Sequence, residues 1–322
     1  MTFLNNTIQT KFGYSNFIVW IVYLIMLSII GIIGNFISVK IFTSSKCYRG
    51  KPFYVLINLL SINDGLFFIY AIPSTLSIII FDYLNKLNLD ADVFCQYSYF
   101  FHTVFVVGSP IGQALIAVLR FVAAFTPVFY KLFVNKKSIL TILWICIAWI
   151  FPIIFSITPT LKVWGRYRSD PLYYHLCLWD IGNDKWKKTM EMIFTYIPSV
   201  IIIGCYLAIL VKIYYFLIES QNEETRRFKN DIKMMFVCGL VYVALIIPCI
   251  LIETFCYDLY NLFPELLPWA ISTYWMTMAL NPIIFTIMNN TFRKEVIKVY
   301  YEIFFMKKNV VTTSEVEGTS IA

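Results

Sequence analysis

Charge is scarce in this 322-residue chain: only 14% of its residues are Asp, Glu, Lys or Arg, against 59% hydrophobic and 18% aromatic. A water-soluble domain so poor in charge would expose apolar surface and aggregate, so the soluble classes are excluded. Histidine is scarcer still. His102 and His175 are the two copies, too few for a histidine-based metal cluster, and no nucleophile–base pair stands out as the nucleus of an enzyme active site. No Pro/Gly/Ser-rich linker or long charged run divides the chain, and no internal repeat of the kind that builds secondary transporters is visible. The opening MTFLNNTIQTKFGYSN has neither a basic n-region nor a small-residue cleavage site. The first apolar run is therefore expected to be a retained anchor, and the chain one integral membrane domain.

What the chain has is long apolar runs. Seven stretches are long enough to span a bilayer: residues 17–39, 52–81, 94–119, 138–161, 189–211, 234–252 and 266–292. Asp64 and Glu191 are the acids within them. An odd number of spans puts the termini on opposite sides. Alternating the loops gathers 18 of the 26 Lys and Arg on the side of the C-terminus, which places that end in the cytoplasm and the N-terminus outside. The net charge of +7 then reflects topology and contact with anionic membrane lipid, not nucleic acid. Residues 1–16 form an extracellular leader in which Asn5, followed by Asn6 and Thr7, fits a glycosylation acceptor. Residues 17–288 form the bundle. Over residues 289–306, Phe292, Val296, Ile297, Tyr300 and Phe304 face away from Arg293, Lys294 and Lys298, the pattern of a short amphipathic helix on the inner leaflet. Residues 307–322 are a polar cytoplasmic tail. The loop between spans four and five is basic (Lys162, Arg166, Arg168, Lys185, Lys187, Lys188), either as a solvated loop or as a mouth that attracts acidic solutes.

The third run organises the rest. Cys95 and Arg120 lie 25 residues apart, which at the ~1.5 Å rise of a helix covers roughly one bilayer with its headgroups. A thiol sits at the outer end and a guanidinium at the inner one. Of the eight cysteines, Cys47 is on the reducing side, Cys146, Cys205, Cys238 and Cys249 lie within spans, and Cys95 and Cys177 face the oxidising compartment. A Cys95–Cys177 bridge is expected, with Cys256 the rival partner. Four polar residues in the spans, Asn35, Asp64, Ser109 and Asn281, fall at similar depth. A lone aspartate there needs partners, so the set is either a structural polar knot or a cluster around a cation or water.

These residues, taken together in order, resemble the rhodopsin-like (class A) G-protein-coupled receptors from end to end: Gly34-Asn35, Asp64, Cys95 with Arg120, Cys177, Pro198 with Tyr206, Pro248, Asn281-Pro282-Ile283-Ile284-Phe285 and the trailing Phe292-Arg293. Arg120-Phe121 followed by Phe125, Pro127, Tyr130 and Phe133 looks most like the nematode serpentine chemoreceptors. The resemblance implies an all-α bundle of seven transmembrane helices with a short amphipathic eighth helix. It implies a non-enzymatic receptor in the plasma membrane that signals through a heterotrimeric G protein, with no cofactor beyond an allosteric sodium ion.

Roles carry over residue by residue. Asp64, Ser109 and Asn281 match the family's sodium pocket, Arg120 its G-protein contact, Tyr206 the tyrosine that supports the active rotamer, and Cys95 with Cys177 its outer disulfide. The 16-residue leader is too short to fold into a binding domain, so a small-molecule or peptide ligand is expected within the bundle. The family pattern would line its site with His102, Thr103, Val106, Trp179, Glu191, Phe194, Glu253, Tyr274 and Trp275. Glu191 and Glu253 argue for a cationic ligand, and the basic outer loop for the opposite charge. The sequence departs from the family pattern at Leu119, Phe285, Ile246 and Pro110. Leu119 leaves Arg120 without a neighbouring acid, and a guanidinium at the membrane edge can snorkel to water or lipid phosphate. A transporter and a non-retinal opsin-like receptor are the alternatives. The seventh span has no lysine for retinal, and Trp275 stands at that position.

Overall fold

The computed structural model describes residues 14–49, 52–83, 91–128, 142–143, 145–163, 166–170, 176–180, 192–216 and 266–304, with single positions at 130, 189, 237, 240–241 and 244–245. Eight helices cover most of these residues. Helix α1 (Tyr14–Ser44) starts three residues before the expected span. The second run is α2 (Pro52–Leu66), one π-helical turn over Phe67–Ala71 and α3 (Ile72–Tyr83). The third is α4 (Ala91–Phe125), 35 residues without a break. A π-helical segment at Ile145–Ile150 leads into α5 (Phe151–Thr160), and another at Met192–Tyr196 into α6 (Ile197–Phe216). Helices α7 (Leu266–Met288) and α8 (Asn290–Phe304) complete the described chain. The sixth apolar run, residues 234–252, lies outside the described residues apart from single positions, as do most of the leader and the whole tail.

Proline explains much of the local geometry. It cannot donate a backbone hydrogen bond, and its ring collides with the carbonyl four residues earlier. The chain handles this in two ways. Pro73, Pro152 and Pro198 each stand two residues beyond a π-helical segment, whose wider turn lets the helix pass the missing donor. Pro110, Pro159 and Pro282 sit inside α-helices, and each freed carbonyl finds a side-chain donor. Tyr274 Oη donates to Val106 O (2.7 Å), Thr158 Oγ1 to Phe155 O (2.8 Å) and Asn35 Nδ2 to Met278 O (3.3 Å). In hydrocarbon an unmet carbonyl has no water to turn to, so such substitutes are required.

Helix α4 is central, packing on α2, α5 and α6, while α1 packs on α2, α7 and α8. The apolar runs at 266–292 and 289–306 are separated by Asn289, whose Oδ1 accepts from Thr291 N and Phe292 N (both 3.0 Å). That N-cap starts α8 as a new helix. Phe292 and Val299 are buried on its inner side while Ile297, Tyr300 and Tyr301 are exposed, and Lys40 meets Glu302 at 3.1 Å.

The bundle is all-α, as expected, but the connection between spans four and five is not a plain loop. Strands β1 (Arg166–Asp170) and β2 (Leu176–Asp180) pair antiparallel, with Arg166 opposite Asp180 and Ser169 opposite Cys177. The hairpin lies against α4. Short strands of mixed polarity at a membrane surface carry no helical or alternating signal strong enough to read from sequence.

Candidate functional site

At mid-depth Asp64, Ser109 and Asn281 converge, and Asn35 lies beside them against Gly65. Asp64 is fully buried, and Asn281 Nδ2 donates to its Oδ2 at 3.0 Å. Asn63 Nδ2 reaches Asp64 Oδ1 at 3.4 Å. Ser109 is 1% exposed and close enough to act on the Asp64 carboxylate, yet its hydroxyl has no hydrogen bond of regular geometry among the described residues. Asn35 Nδ2 donates to Gly31 O (2.9 Å) as well as to Met278 O, while its Oδ1 is buried with no partner among the described residues. The donors and acceptors left over here, together with one carboxylate, are the chemistry that a monovalent cation or ordered water would complete.

Asn63, the neighbour of Asp64, is a residue the sequence reading passed over. Its Nδ2 donates to Phe105 O (3.0 Å), and its Oδ1 accepts from Trp149 Nε1 (3.2 Å), so one amide joins α2, α4 and the fourth span. Gly108 makes room for it. A Cβ there would come 2.8 Å from both Ala148 O and Asn63 Oδ1. An Asn beside an Asp in one apolar run and a Trp near the middle of another are the available signals.

Above this knot lies an aromatic cage. His102 is buried, stacked on Tyr99 (4.7 Å between ring centres) and edge-on to both Phe67 and Trp275 (5.3 Å each). Trp275 in turn meets Phe67 at 5.7 Å. His102 Nδ1 and Trp275 Nε1 are buried with no hydrogen-bond partner among the described residues. Tyr274 and Val106 are also brought together, but by the bond from the Tyr274 hydroxyl to the Val106 carbonyl, so that hydroxyl is already engaged. Thr103 bonds back to Tyr99 O at 2.8 Å. Phe194 packs on Phe151 (5.6 Å) and Phe155 (5.4 Å) instead of joining the cage. Trp179 falls on β2, with its side chain outside the described residues. Glu191, Glu253 and Asn5 lie outside them entirely.

Cys95 is buried and disulfide-bonded. Cys177 is on β2, which contacts α4, although its side chain lies outside the described residues, as does Cys256. Cys47, Cys146 and Cys205 are free thiols.

Towards the C-terminal end of α4, Arg120 takes neither water nor lipid phosphate as its outlet. The side chain is 6% exposed. Its guanidinium lies over the Phe53 ring, 3.2 Å from the centre, because an aromatic face is available at that depth and water is not. Tyr206 is buried on α6. Phe285 is buried too, packed on Phe42 (6.2 Å) and Phe292 (5.9 Å), so a dry ring suits that position better than a phenol needing a partner. Lys212 Nζ donates to Ala124 O and lies 4.7 Å from the centre of the Phe125 ring, neutralising the C-terminal end of α4.

Comparison with known proteins gives a consistent result. The family model described as 7 transmembrane receptor (rhodopsin family) matches residues 34–285. The melatonin receptor type 1A of Mus musculus is 25% identical over 309 residues, covering 92% of this chain and 84% of that protein. Melanopsin-B of Xenopus laevis is 25% identical over 190 residues, covering 58% of this chain and 34% of its own length. The crystal structure of squid rhodopsin superposes with a TM-score of 0.69 at 19% identity, covering 88% of this chain and 84% of that one.

Proposed function

Because the chain belongs to the rhodopsin family of seven-transmembrane receptors, and is therefore a receptor and neither an enzyme nor a transporter, we propose that it is a chemosensory receptor. It sits in the plasma membrane with its N-terminus outside and its C-terminus in the cytoplasm. It takes a small molecule or peptide from outside and signals through a heterotrimeric G protein. The observation that carries this reading is the vertical order of the bundle: the His102–Trp275 cage above, the Asp64–Asn281 knot at mid-depth and Arg120 below. The bias of Lys and Arg supports the orientation. The nematode-like run from Arg120 to Phe133 supports the chemosensory role. A retinal photoreceptor is disfavoured despite the opsin relatives, since α7 contains no lysine.

The cage also speaks to ligand chemistry. A Trp275 N–H needs an acceptor, which an ammonium group lacks, whereas a hydroxyl or carbonyl oxygen serves it and can meet His102 as well. An oxygen-bearing ligand fits these atoms better than the cation suggested by Glu191 and Glu253. Expressing the receptor with a panel of G-protein chimeras and screening volatile and water-soluble metabolites for second-messenger responses tests the reading. Silence with every chimera and every chemical class at confirmed surface expression would refute it.

Two further assignments belong to this reading. Asp64, Ser109 and Asn281 would hold an allosteric sodium ion, which would supply the counter-charge for the buried carboxylate. Asp64→Asn keeps the shape and removes the charge, so sodium should stabilise the parent against heat and leave the variant unaffected. Equal sodium responses in both proteins would make the cluster purely structural. Cys95 would pair with Cys177, which a non-reducing peptide map should recover as one linked species. The closed loop should contribute on the order of 4 kcal/mol by the chain-entropy estimate, and a map joining Cys95 to Cys256 overturns the pairing.

A further inference from the structure

The aliphatic Leu119 offers Arg120 no charge, yet the arginine is held. Its guanidinium lies 3.2 Å from the centre of the Phe53 ring, with both side chains buried. A ring face presents the negative end of its quadrupole, and its attraction for a cation grows where water is excluded. Phe53 is itself braced. It meets Tyr54 edge-on at 5.2 Å, Tyr54 stacks on Phe42 at 5.8 Å, and Phe42 contacts Phe285 at 6.2 Å and Phe292 at 5.3 Å. An unbroken row of rings thus runs from Arg120 to the inner end of α7 and the start of α8. Beyond the end of α4, Tyr130 feels the same charge: burial pushes its phenol up and the Arg120 guanidinium opposes that shift.

We infer that Phe53 is the positioning residue that restrains Arg120, its ring face acting in place of an adjoining carboxylate, and that the row of rings transmits this restraint to α7. The inference rests on reading Arg120 as the G-protein contact. A leucine at position 53 keeps the bulk and loses the quadrupole, and a tryptophan keeps the quadrupole. An acid at position 119 supplies the restraint by another route.

The test uses the full-length receptor at matched surface expression, with thermal unfolding of the purified protein as a second readout. Phe53→Leu should raise agonist-independent G-protein activation about tenfold, the change equivalent to ~1.4 kcal/mol. Phe53→Trp should stay within about twofold of the parent, and adding Leu119→Asp to Phe53→Leu should restore the low basal level. In unfolding, Phe53→Leu and Arg120→Leu together should cost less than the sum of the two alone, since either change removes the same contact. Additive costs overturn the stack. Unchanged basal activity in Phe53→Leu, in a receptor that answers agonist, overturns the restraint. If neither parent nor variants activate any G protein, the functional reading fails, and the unfolding cycle still decides whether ring and arginine are coupled.

Discussion

Arg120→Ala is expected to abolish G-protein activation while leaving surface expression close to that of the parent. Asp64 and Arg120 are the buried side chains among the described residues that carry a formal charge, and they stand at different depths along the bundle. Asp64 is engaged by Asn281 and Asn63. Arg120 is set towards the C-terminal end of the helix that packs on α2, α5 and α6, against the Phe53 ring. Read as the G-protein contact, it supplies a charge for which an alanine has no substitute. The Phe53 contact is lost with the charge, so the variant should unfold at a somewhat lower temperature than the parent, and its output is read per receptor at the surface. Second-messenger output at agonist saturation, normalised to surface label, should fall to the level of untransfected cells. Activity within about threefold of the parent would remove Arg120 from the coupling machinery. Leu119→Asp should also lower output, by adding restraint to Arg120 without removing its charge. Its effect on basal output should be near fivefold, the change that ~1 kcal/mol of added restraint produces.

Gly108→Ala should cost the bundle several of its polar contacts through a single methyl group. The new Cβ would stand 2.8 Å from Ala148 O, a backbone atom, and 2.8 Å from Asn63 Oδ1. The helices must then separate or the amide must leave. Either response endangers the bonds from Asn63 to Phe105 O and from Trp149 to Asn63, each worth about 1 kcal/mol, in addition to an overpacking cost of roughly 1–3 kcal/mol. A total near ~3 kcal/mol should lower the midpoint of thermal unfolding by roughly 5–10 °C. Gly65→Ala is the internal control. Its Cβ would meet Asn35 Cβ at 3.5 Å, an ordinary contact, and alanine favours a helix over glycine by up to ~1 kcal/mol. A Gly108→Ala protein as stable as Gly65→Ala would show that the fourth span can shift at no cost.

The contrast between these two glycines shows where sequence reasoning stops. Both lie in apolar helical runs, and nothing in the residues around them separates a glycine that meets ordinary space from one pressed against a carbonyl. The runs themselves were legible, because hydrocarbon leaves a spanning backbone no partner but itself and so imposes length and apolarity on each segment. The Asp64, Ser109 and Asn281 cluster was legible for a related reason: polar atoms at one depth must seek one another. The sequence alone also determined the break before α8, since asparagine caps a helix through atoms within three residues of itself. What tertiary structure alone decided were contacts across large sequence distance. Arg120 lies on Phe53, Trp149 bonds to Asn63, and Tyr274 serves the carbonyl that Pro110 releases. Each depends on how two helices are rotated and staggered against each other, and hydropathy sets neither, because lipid and neighbouring helix are equally apolar. The side chain of Arg120 had two outlets of similar merit, water at the membrane edge or a ring in the interior, and the position of α2 selected the ring.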